Sequence, residues 1–247
     1  MNRRIHGEKT IIDPATVERF FQMRSEKFGG TNPVVSMLYQ DSNPALAQAR
    51  DAHEKAKLLP LLDLSPEDRV LDMGCGLGRW AGDFQGRVAR YHGTDLVANL
   101  IEIARKTFAD DPAISFEALP AQDNRADMLA CPPPFSVILI AGVLHYINDA
   151  DCRAAVANVL ECAAPAARIL VRGPVAVEQR LTLDTIWSEE LSFDYSAVYR
   201  TEAEYRELFA AWLDNGFEMK LSERLFPTHL NNRRETEQHF FLLERKG

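Results

Sequence analysis

The sequence predicts an α/β fold: a seven-stranded, doubly wound sheet, mostly parallel, ending in an antiparallel C-terminal strand pair. Three observations carry this expectation. From Arg69 onward, the short apolar runs RVLDMG, RYHGTDL, AISFEAL, FSVILIAGVLHY and ARILVRGPV alternate with helical stretches, which is the grammar of βαβ units around a parallel sheet. Near the end, FEMKLSERLF and QHFFLLER succeed one another without a helix, and a link of about ten residues rich in Asn and Arg suits antiparallel pairing. The chain has 247 residues, 46% hydrophobic and 26% charged, a size and composition that support one globular unit with a full core.

The N-terminal elements come first. Residues 1–64 read as a helical N-terminal extension or cap: Asp13 can cap, Pro14 takes the first helical position, and Val17, Phe20, Phe21 and Phe28 recur at near-helical spacing. The stretch SNPALAQARDAHEKAKLLPLL repeats that pattern. Residues 65–247 hold the main domain. An irregular, aromatic-containing insertion comes after the fifth strand at about residues 176–200, and a helix from near Thr201 to Asn215 is stopped by Gly216. No internal repeat, low-complexity tract or linker divides the chain.

Charge narrows the partners. Twenty-eight basic against thirty-six acidic residues leave a net charge of −8, which opposes nonspecific attraction to nucleic acid or anionic membrane. A small-molecule partner is expected, with no nucleic acid and no membrane, while a homodimer stays open. The opening MNRRIHGEKTII has arginines but no apolar core behind them, so a cytoplasmic location is expected. Cys75, Cys131, Cys152 and Cys162 form no C-x-x-C pair and keep no zinc-ligand spacing with histidine; they read as reduced thiols, and no metal site is expected.

The stretch RVLDMGCGLGRWAGDFQGRVARYHGTDL, residues 69–96, carries the chemistry. A strand ends near Leu71, Gly74, Gly76 and Gly78 turn the chain into a helix, and Asp95 closes the next strand. Glycines there let backbone approach a ligand, and a carboxylate at the second strand's end can accept hydrogen bonds from both hydroxyls of a ribose. A dinucleotide fingerprint would need a third glycine where Arg79 stands, so an adenosine cofactor without pyrophosphate fits better.

VLDMGCGLGRWA resembles the first motif of class I S-adenosylmethionine-dependent methyltransferases, and the resemblance runs from about residue 65 to the C-terminus, including the terminal strand pair. It implies S-adenosyl-L-methionine as cofactor. Gly74, Cys75 and Gly76 would then lie against its methionine part, Asp95 would hold the ribose, Leu96 would cover adenine, and Asp72 would act on the amino end, directly or through water. The family's third element often reads gDAxxLP, whereas LPAQDN puts Pro120 in place of the acid. Ala121 through its backbone, with Gln122 or Asp123 through a side chain, are the substitutes; the plain alternative is that Gln122 and Asp123 cap a helix. Ala141 and Gly142 would lend backbone to the pocket. The N-terminal helices would cover the cofactor, with Tyr39 and Arg50 nearest it. Arg50 would clamp a carboxylate, with a surface salt bridge as the favoured plain alternative.

Methyl transfer from a sulfonium is a direct displacement that needs alignment and, for an alcohol acceptor, a base. His145, at the fourth strand's exit, is the candidate base, with packing as the alternative, and Tyr146 is a weaker candidate beside it. Trp187, Phe193, Tyr195 and Tyr199 would wall an acceptor pocket, with Asp194 and Arg200 on its polar groups, or would form the core of a cap. His229, Asn231, Asn232 and Arg233 would suit a sugar or anion, or would be a solvated hairpin loop. The sequence thus points to a methyltransferase of small molecules, acting on oxygen of a sugar or secondary metabolite. An NAD-dependent oxidoreductase and a noncatalytic cofactor-responsive binding protein on the same fold remain the alternatives.

Overall fold

Strands covered on both faces need apolar side chains on both, which is why the runs after Arg69 are continuous rather than alternating. The computed structural model of the chain describes residues 3–27, 43–189, 191–231 and 233–247. A short strand β1 (Arg3–His6) and two helices, α1 (Pro14–Lys27) and α2 (Pro44–Leu58), precede the main sheet. The parallel strands are β2 (Arg69–Met73), β3 (Arg90–Asp95), β4 (Ile114–Ala118), β5 (Phe135–Ala141) and β6 (Ala163–Ala176). Between them run α3 (Ala81–Phe84), α4 (Ala98–Thr107) and α5 (Asp149–Cys162).

Beyond β6 the chain forms β7 (Leu181–Ser188), β8 (Phe193–Tyr199) and α6 (Glu202–Leu208), then passes through α7 (Ala210–Leu213) to β9 (Glu218–Arg224) and β10 (Thr236–Arg245). The sheet order is β4-β3-β2-β5-β6-β10-β9. Strand β10 runs antiparallel to both neighbours, giving the expected reversed pair in a seven-stranded, mostly parallel sheet.

Alternate strand residues feed two cores. Val70, Val137, Leu139 and Leu170 pack with Leu58 of α2, Phe84 of α3 and Ile101 of α4. Leu71, Met73, Ile138 and Ile140 pack on the other face with Val156 of α5, Tyr205 of α6 and Trp212 of α7. Local signals start the helices where the sequence asks: the Asn43 side chain accepts from the Leu46 amide at 3.0 Å ahead of Pro44, and Thr201 with Glu204 forms a full capping box. Among the described residues no helix is long and apolar enough to cross a membrane.

Three expectations change. The N-terminal segment begins with a strand, and the insertion is a β-hairpin rather than irregular chain: β1, β7 and β8 form a small antiparallel sheet in the order β1-β7-β8. The sequence RRIH is too short and polar to show a period, and its pairing partner lies in the distant insertion. In the hairpin, the register shifts between Leu183 and Ile186, where Thr185 takes φ 54°, and this bulge breaks the alternation that would have marked the strands. The expected helix from Thr201 is also divided, at Phe209; Gly216 comes after it with φ 86°. The small sheet, with Val17 of α1, forms a third core that takes in Tyr146 and Tyr199.

Buried arginines join this small sheet to the main one. Arg200, 2% exposed, donates from Nε to Asp149 Oδ1 at 2.9 Å and from its Nη atoms to the carbonyls of Leu144 (2.5 Å) and Ile147 (3.0 Å). Arg180 donates to the same Asp149 oxygen at 2.9 Å and to Glu204 at 2.8 Å. Asp149→Ala would leave two desolvated guanidinium groups short of their shared anion. The expected cost is about 3 kcal/mol, the scale of breaking a buried pair, read as a fall in the urea midpoint with unchanged slope; a shift within error would show the carboxylate to be dispensable.

Candidate functional site

In an open α/β sheet the chain leaves neighbouring strands in opposite directions at one point, and a crevice opens there at the carboxyl ends. Here that point lies between β2 and β5, paired from Val70↔Val137 to Met73↔Ile140. The loops leaving the two strands therefore stand side by side over a cavity of about 440 Å³, within the range of small-molecule sites.

The glycine turn after β2 forms one wall. Gly74 and Cys75 donate their amides to the Thr94 carbonyl at 2.7 and 2.9 Å, which folds the turn back onto the end of β3. Gly74 has φ 78°, and a Cβ there would lie 2.2 Å from Val143 Cγ2; only glycine lets the two loops approach so closely. Asp95 stands opposite. Its carboxylate accepts from the Gly76 amide and from the Val97 amide, both at 2.9 Å, so it is fixed in position with lone pairs still facing the cavity. Burial pushes its carboxyl above the usual range against these two hydrogen bonds.

Of the residues expected to hold a cofactor, Gly74, Cys75, Gly76, Asp95, Leu96, Ala121, Gln122, Ala141, Gly142 and Arg50 all line this one cavity. Asp72 and Asp123 do not. Asp123 is exposed at the end of a short turn, Ala121–Asp123; the buried Asn124 secures that turn by accepting from Thr94 Oγ1 and donating to the Pro120 carbonyl, each at 2.8 Å. Asp72 lies one layer behind the glycine turn, 1% exposed, where it accepts from the Tyr91 hydroxyl at 2.5 Å while its Oδ1 has no hydrogen-bond partner. Burial, helped by the Asp95 charge and opposed by Tyr91 and Arg79, pushes its pKa up to about 6. It acts on the cavity by its field rather than by contact.

Arg50 is no surface residue. It is 8% exposed, donates from Nε and Nη2 to the Leu230 carbonyl at 2.8 and 2.6 Å, and lies over the Phe226 ring. Tyr39 and Asn232 lie outside the described residues.

The opposite end of the cavity takes in His145, Tyr146, Tyr195, Tyr199 and Asn231. The tyrosine hydroxyls are linked: those of Tyr146 and Tyr195 lie 3.0 Å apart, and Tyr199 donates to Tyr195 at 3.2 Å. His145 is 5% exposed with an unpartnered Nδ1. Burial, then the charges of Arg172 and Arg200, hold its pKa well below the ordinary imidazole value; the expected ionisation near neutrality is thereby displaced. Trp187 and Asp194 face each other across the hairpin, outside the cavity lining, with Trp187 half exposed. His229 is exposed and also outside it, and Arg200 is committed to Asp149 and the Leu144–Tyr146 turn.

Several lining residues escaped the sequence reading. Arg172, on β6, and Thr236 and Gln238, on β10, reach the cavity from strand interiors. Arg172 carried a signal, since a lone arginine in an apolar run just before Gly173 and Pro174 marks a carboxyl end. Arg79 donates to Asp51 at 2.6 Å and to Glu54 at 2.8 Å, so the residue that displaces the third glycine ties the turn to α2.

Residues 70–166 match a family model described as a methyltransferase domain. Across 96% of its length the chain superposes on half of Haemonchus contortus phosphoethanolamine N-methyltransferase 1, solved with phosphoethanolamine and S-adenosylhomocysteine, with a TM-score of 0.70 at 17% identity. Over its full length it superposes on 96% of Burkholderia thailandensis 1,6-didemethyltoxoflavin-N1-methyltransferase, with a TM-score of 0.65 at 17% identity. At these identities the likeness is one of fold. Over 64 residues the chain is 31% identical to ribosomal RNA small subunit methyltransferase A of Geobacter metallireducens, a match that covers 26% of this chain and 23% of that protein.

The state of Asp72 makes stability depend on pH. Its folded pKa of about 6 exceeds the ordinary 3.8, so the folded chain holds this proton more tightly than the unfolded one. Stability from this group is greatest below the ordinary value and falls as pH rises towards about 6, by about 3 kcal/mol in all. Asp72→Asn should remove that fall, so that urea midpoints of native and variant, compared at about pH 4.5 and about pH 7.5, shift in the variant's favour at the higher pH. A constant difference between them would show that Asp72 is not held protonated.

Proposed function

We propose that the chain, whose residues 70–166 match a methyltransferase domain on a Rossmann-like fold, is a class I S-adenosylmethionine-dependent methyltransferase that transfers a methyl group to oxygen of a small-molecule acceptor. The observation that carries this is one cavity with two unlike ends, a glycine turn facing Asp95 at one and His145 with three tyrosines at the other. The fit to the cofactor is physical. A carboxylate fixed by two amides suits a ribose diol, and a buried acid with an orphaned oxygen suits a cation lying just beyond the turn. A dinucleotide suits it less well, because Arg79 is tied to Asp51 and Glu54 and the next helix, α3, has four residues, too few for a pyrophosphate seat.

Bound S-adenosylmethionine supplies an electrophilic methyl group on a sulfonium. The chain's own part is alignment, exclusion of water and management of one proton. Leu96, Leu100 and Ala121 supply apolar surface at the end near Asp95. Tyr146, Tyr195 and Tyr199 present hydroxyls that can orient an acceptor. Burial and the charges of Arg172 and Arg200 hold His145 neutral, and as a residue of the cavity lining it offers its imidazole as the proton's destination. Its basicity is weak, which suffices because the alcohol proton becomes strongly acidic only as oxygen gains carbon. Acceptance of that proton by the His145 imidazole completes the transfer. The net charge of −8 and a cavity of small-molecule size, lined in part by α1, favour a small acceptor over a nucleic acid.

Asp95→Ala should leave the fold intact and weaken S-adenosylmethionine binding by roughly 2 to 4 kcal/mol, the scale of lost charge-assisted hydrogen bonds; unchanged affinity by calorimetry removes the ribose assignment. Transfer of labelled methyl groups over a library of alcohols and amines tests the reaction itself. Product carrying the label on nitrogen overturns the oxygen assignment, and firm cofactor binding with no product from any compound favours a noncatalytic role. With an acceptor in hand, His145→Ala should keep cofactor affinity and lower turnover by about 10²- to 10⁴-fold. As far as this group is concerned the native rate should not rise through the ordinary imidazole range, because its ionisation is displaced well below that range. A variant rate within a few-fold of native rules His145 out as the proton acceptor.

A further inference from the structure

An acidic protein has placed arginines at one end of its cavity. Arg172 is 9% exposed; its Nη2 donates to Glu54 Oε2 at 2.7 Å, while its Nε is buried without a hydrogen-bond partner. Arg233, on the loop between β9 and β10, lines the same cavity, and among the described residues no carboxylate pairs with its guanidinium. Both lie near enough to Arg50 for their charges, next to burial itself, to lower its pKa. Arg50 fixes Leu230, three residues before Arg233, through that residue's carbonyl. The register of β6 against β10, Arg172↔Phe240, Pro174↔Gln238 and Ala176↔Thr236, puts Arg172, Gln238 and Thr236 on one face of the sheet, since residues two apart share a face.

Gln238 has its own orphan, a buried Oε1 without a partner. The cavity's carboxylates are engaged elsewhere or lie apart from this end. Asp95 is held by the Gly76 and Val97 amides at the glycine end, Glu18 accepts from Gln22, and Asp151 lies in the first turn of α5. A guanidinium in a cavity wall with no acid of its own, as at Arg233, becomes favourable when an oxyanion enters.

We infer that this end of the cavity binds an oxyanion of the acceptor, a carboxylate or a phosphate monoester, held by Arg172 and Arg233 so that the acceptor's nucleophilic atom points back towards His145. This substrate class rests on the methyl-transfer reading above, in which the glycine turn and Asp95 hold the cofactor at the other end. A planar guanidinium fork matches either oxyanion, and the phosphate and carboxylate forms are separated by probe.

The test uses the full chain saturated with S-adenosylhomocysteine and three probes of similar size, namely phenyl phosphate, benzoate and the neutral benzyl alcohol, each titrated by calorimetry. At least one of the anions is expected to bind about tenfold more tightly than the alcohol, an advantage typical of charge-assisted hydrogen bonds. Arg233→Gln should abolish that advantage, and Arg233→Lys should retain part of it. Because Arg233 is exposed, these variants should fold even if Arg172→Gln, which strands Glu54, does not. Equal binding of all three probes overturns the proposal. So does an anion that binds only the cofactor-free protein and is expelled by S-adenosylhomocysteine, since the arginines would then serve the cofactor's own carboxylate. Failure of S-adenosylhomocysteine to bind at all overturns the methyl-transfer reading, and the acceptor role falls with it whatever the anions do.

Discussion

Glu54 is the constraint on which the site depends. Its carboxylate has no exposed surface, and it accepts from Arg79 through Oε1 at 2.8 Å and from Arg172 through Oε2 at 2.7 Å. Burial alone would favour its protonated form, but the two guanidinium groups outweigh that and hold its pKa below the usual value. One side chain thereby joins α2, the start of the helix after the glycine turn, and the end of β6. These are three parts of the chain that meet nowhere in sequence. An ion pair of this kind is weak as a source of net stability, because desolvation offsets most of the attraction. Its value is positional: no alternative packing of α2 could leave Arg79 and Arg172 buried without their anion.

The fold was legible in the sequence where its determinants are local. Apolar runs bounded by turns, a glycine turn with an acid at the next strand's end, and two late strands without an intervening helix each lie within a few dozen residues. The site was legible where it rests on that turn, at Gly74, Gly76 and Asp95, because backbone geometry leaves little choice of residue there. Legibility failed where partners are far apart. Strand β1 exists only because β7 offers it an edge, and Arg200 looks like a ligand until Asp149 and the Leu144 carbonyl are seen to occupy it. Arg172 looks like an interruption in a strand until strand order shows that the strand's end opens on the crevice.

The small sheet does more than cover the cavity. Tyr195 and Tyr199 come from β8, Tyr146 from the turn after β5, and Arg200, just past β8, grips that same turn through the Leu144 and Ile147 carbonyls. The insertion thus supplies cavity-lining hydroxyls and, through one guanidinium, holds the backbone on which His145 stands. A loose cap could supply the first but not the second. Fixing both from one hairpin keeps the tyrosines and His145 in register with each other, which a direct displacement requires because misalignment of reacting atoms is costly in rate.

Charge sets the sense in which ligands enter. The chain's overall excess of acid repels anions at long range, but salt at physiological strength screens that field within about 8 Å. Inside the cavity screening is weaker, and the balance is local. Arg79 and Arg172 are matched by Asp51 and Glu54 behind the wall, while Arg233 adds a cation with no matching acid among the described residues. By the glycine turn, Asp72 and Asp95 add two acids, and among the described residues neither forms an ion pair with a neighbouring cation. A cation is thus favoured beside these acids and an anion beside Arg233, and exchanging the two would set like charges together.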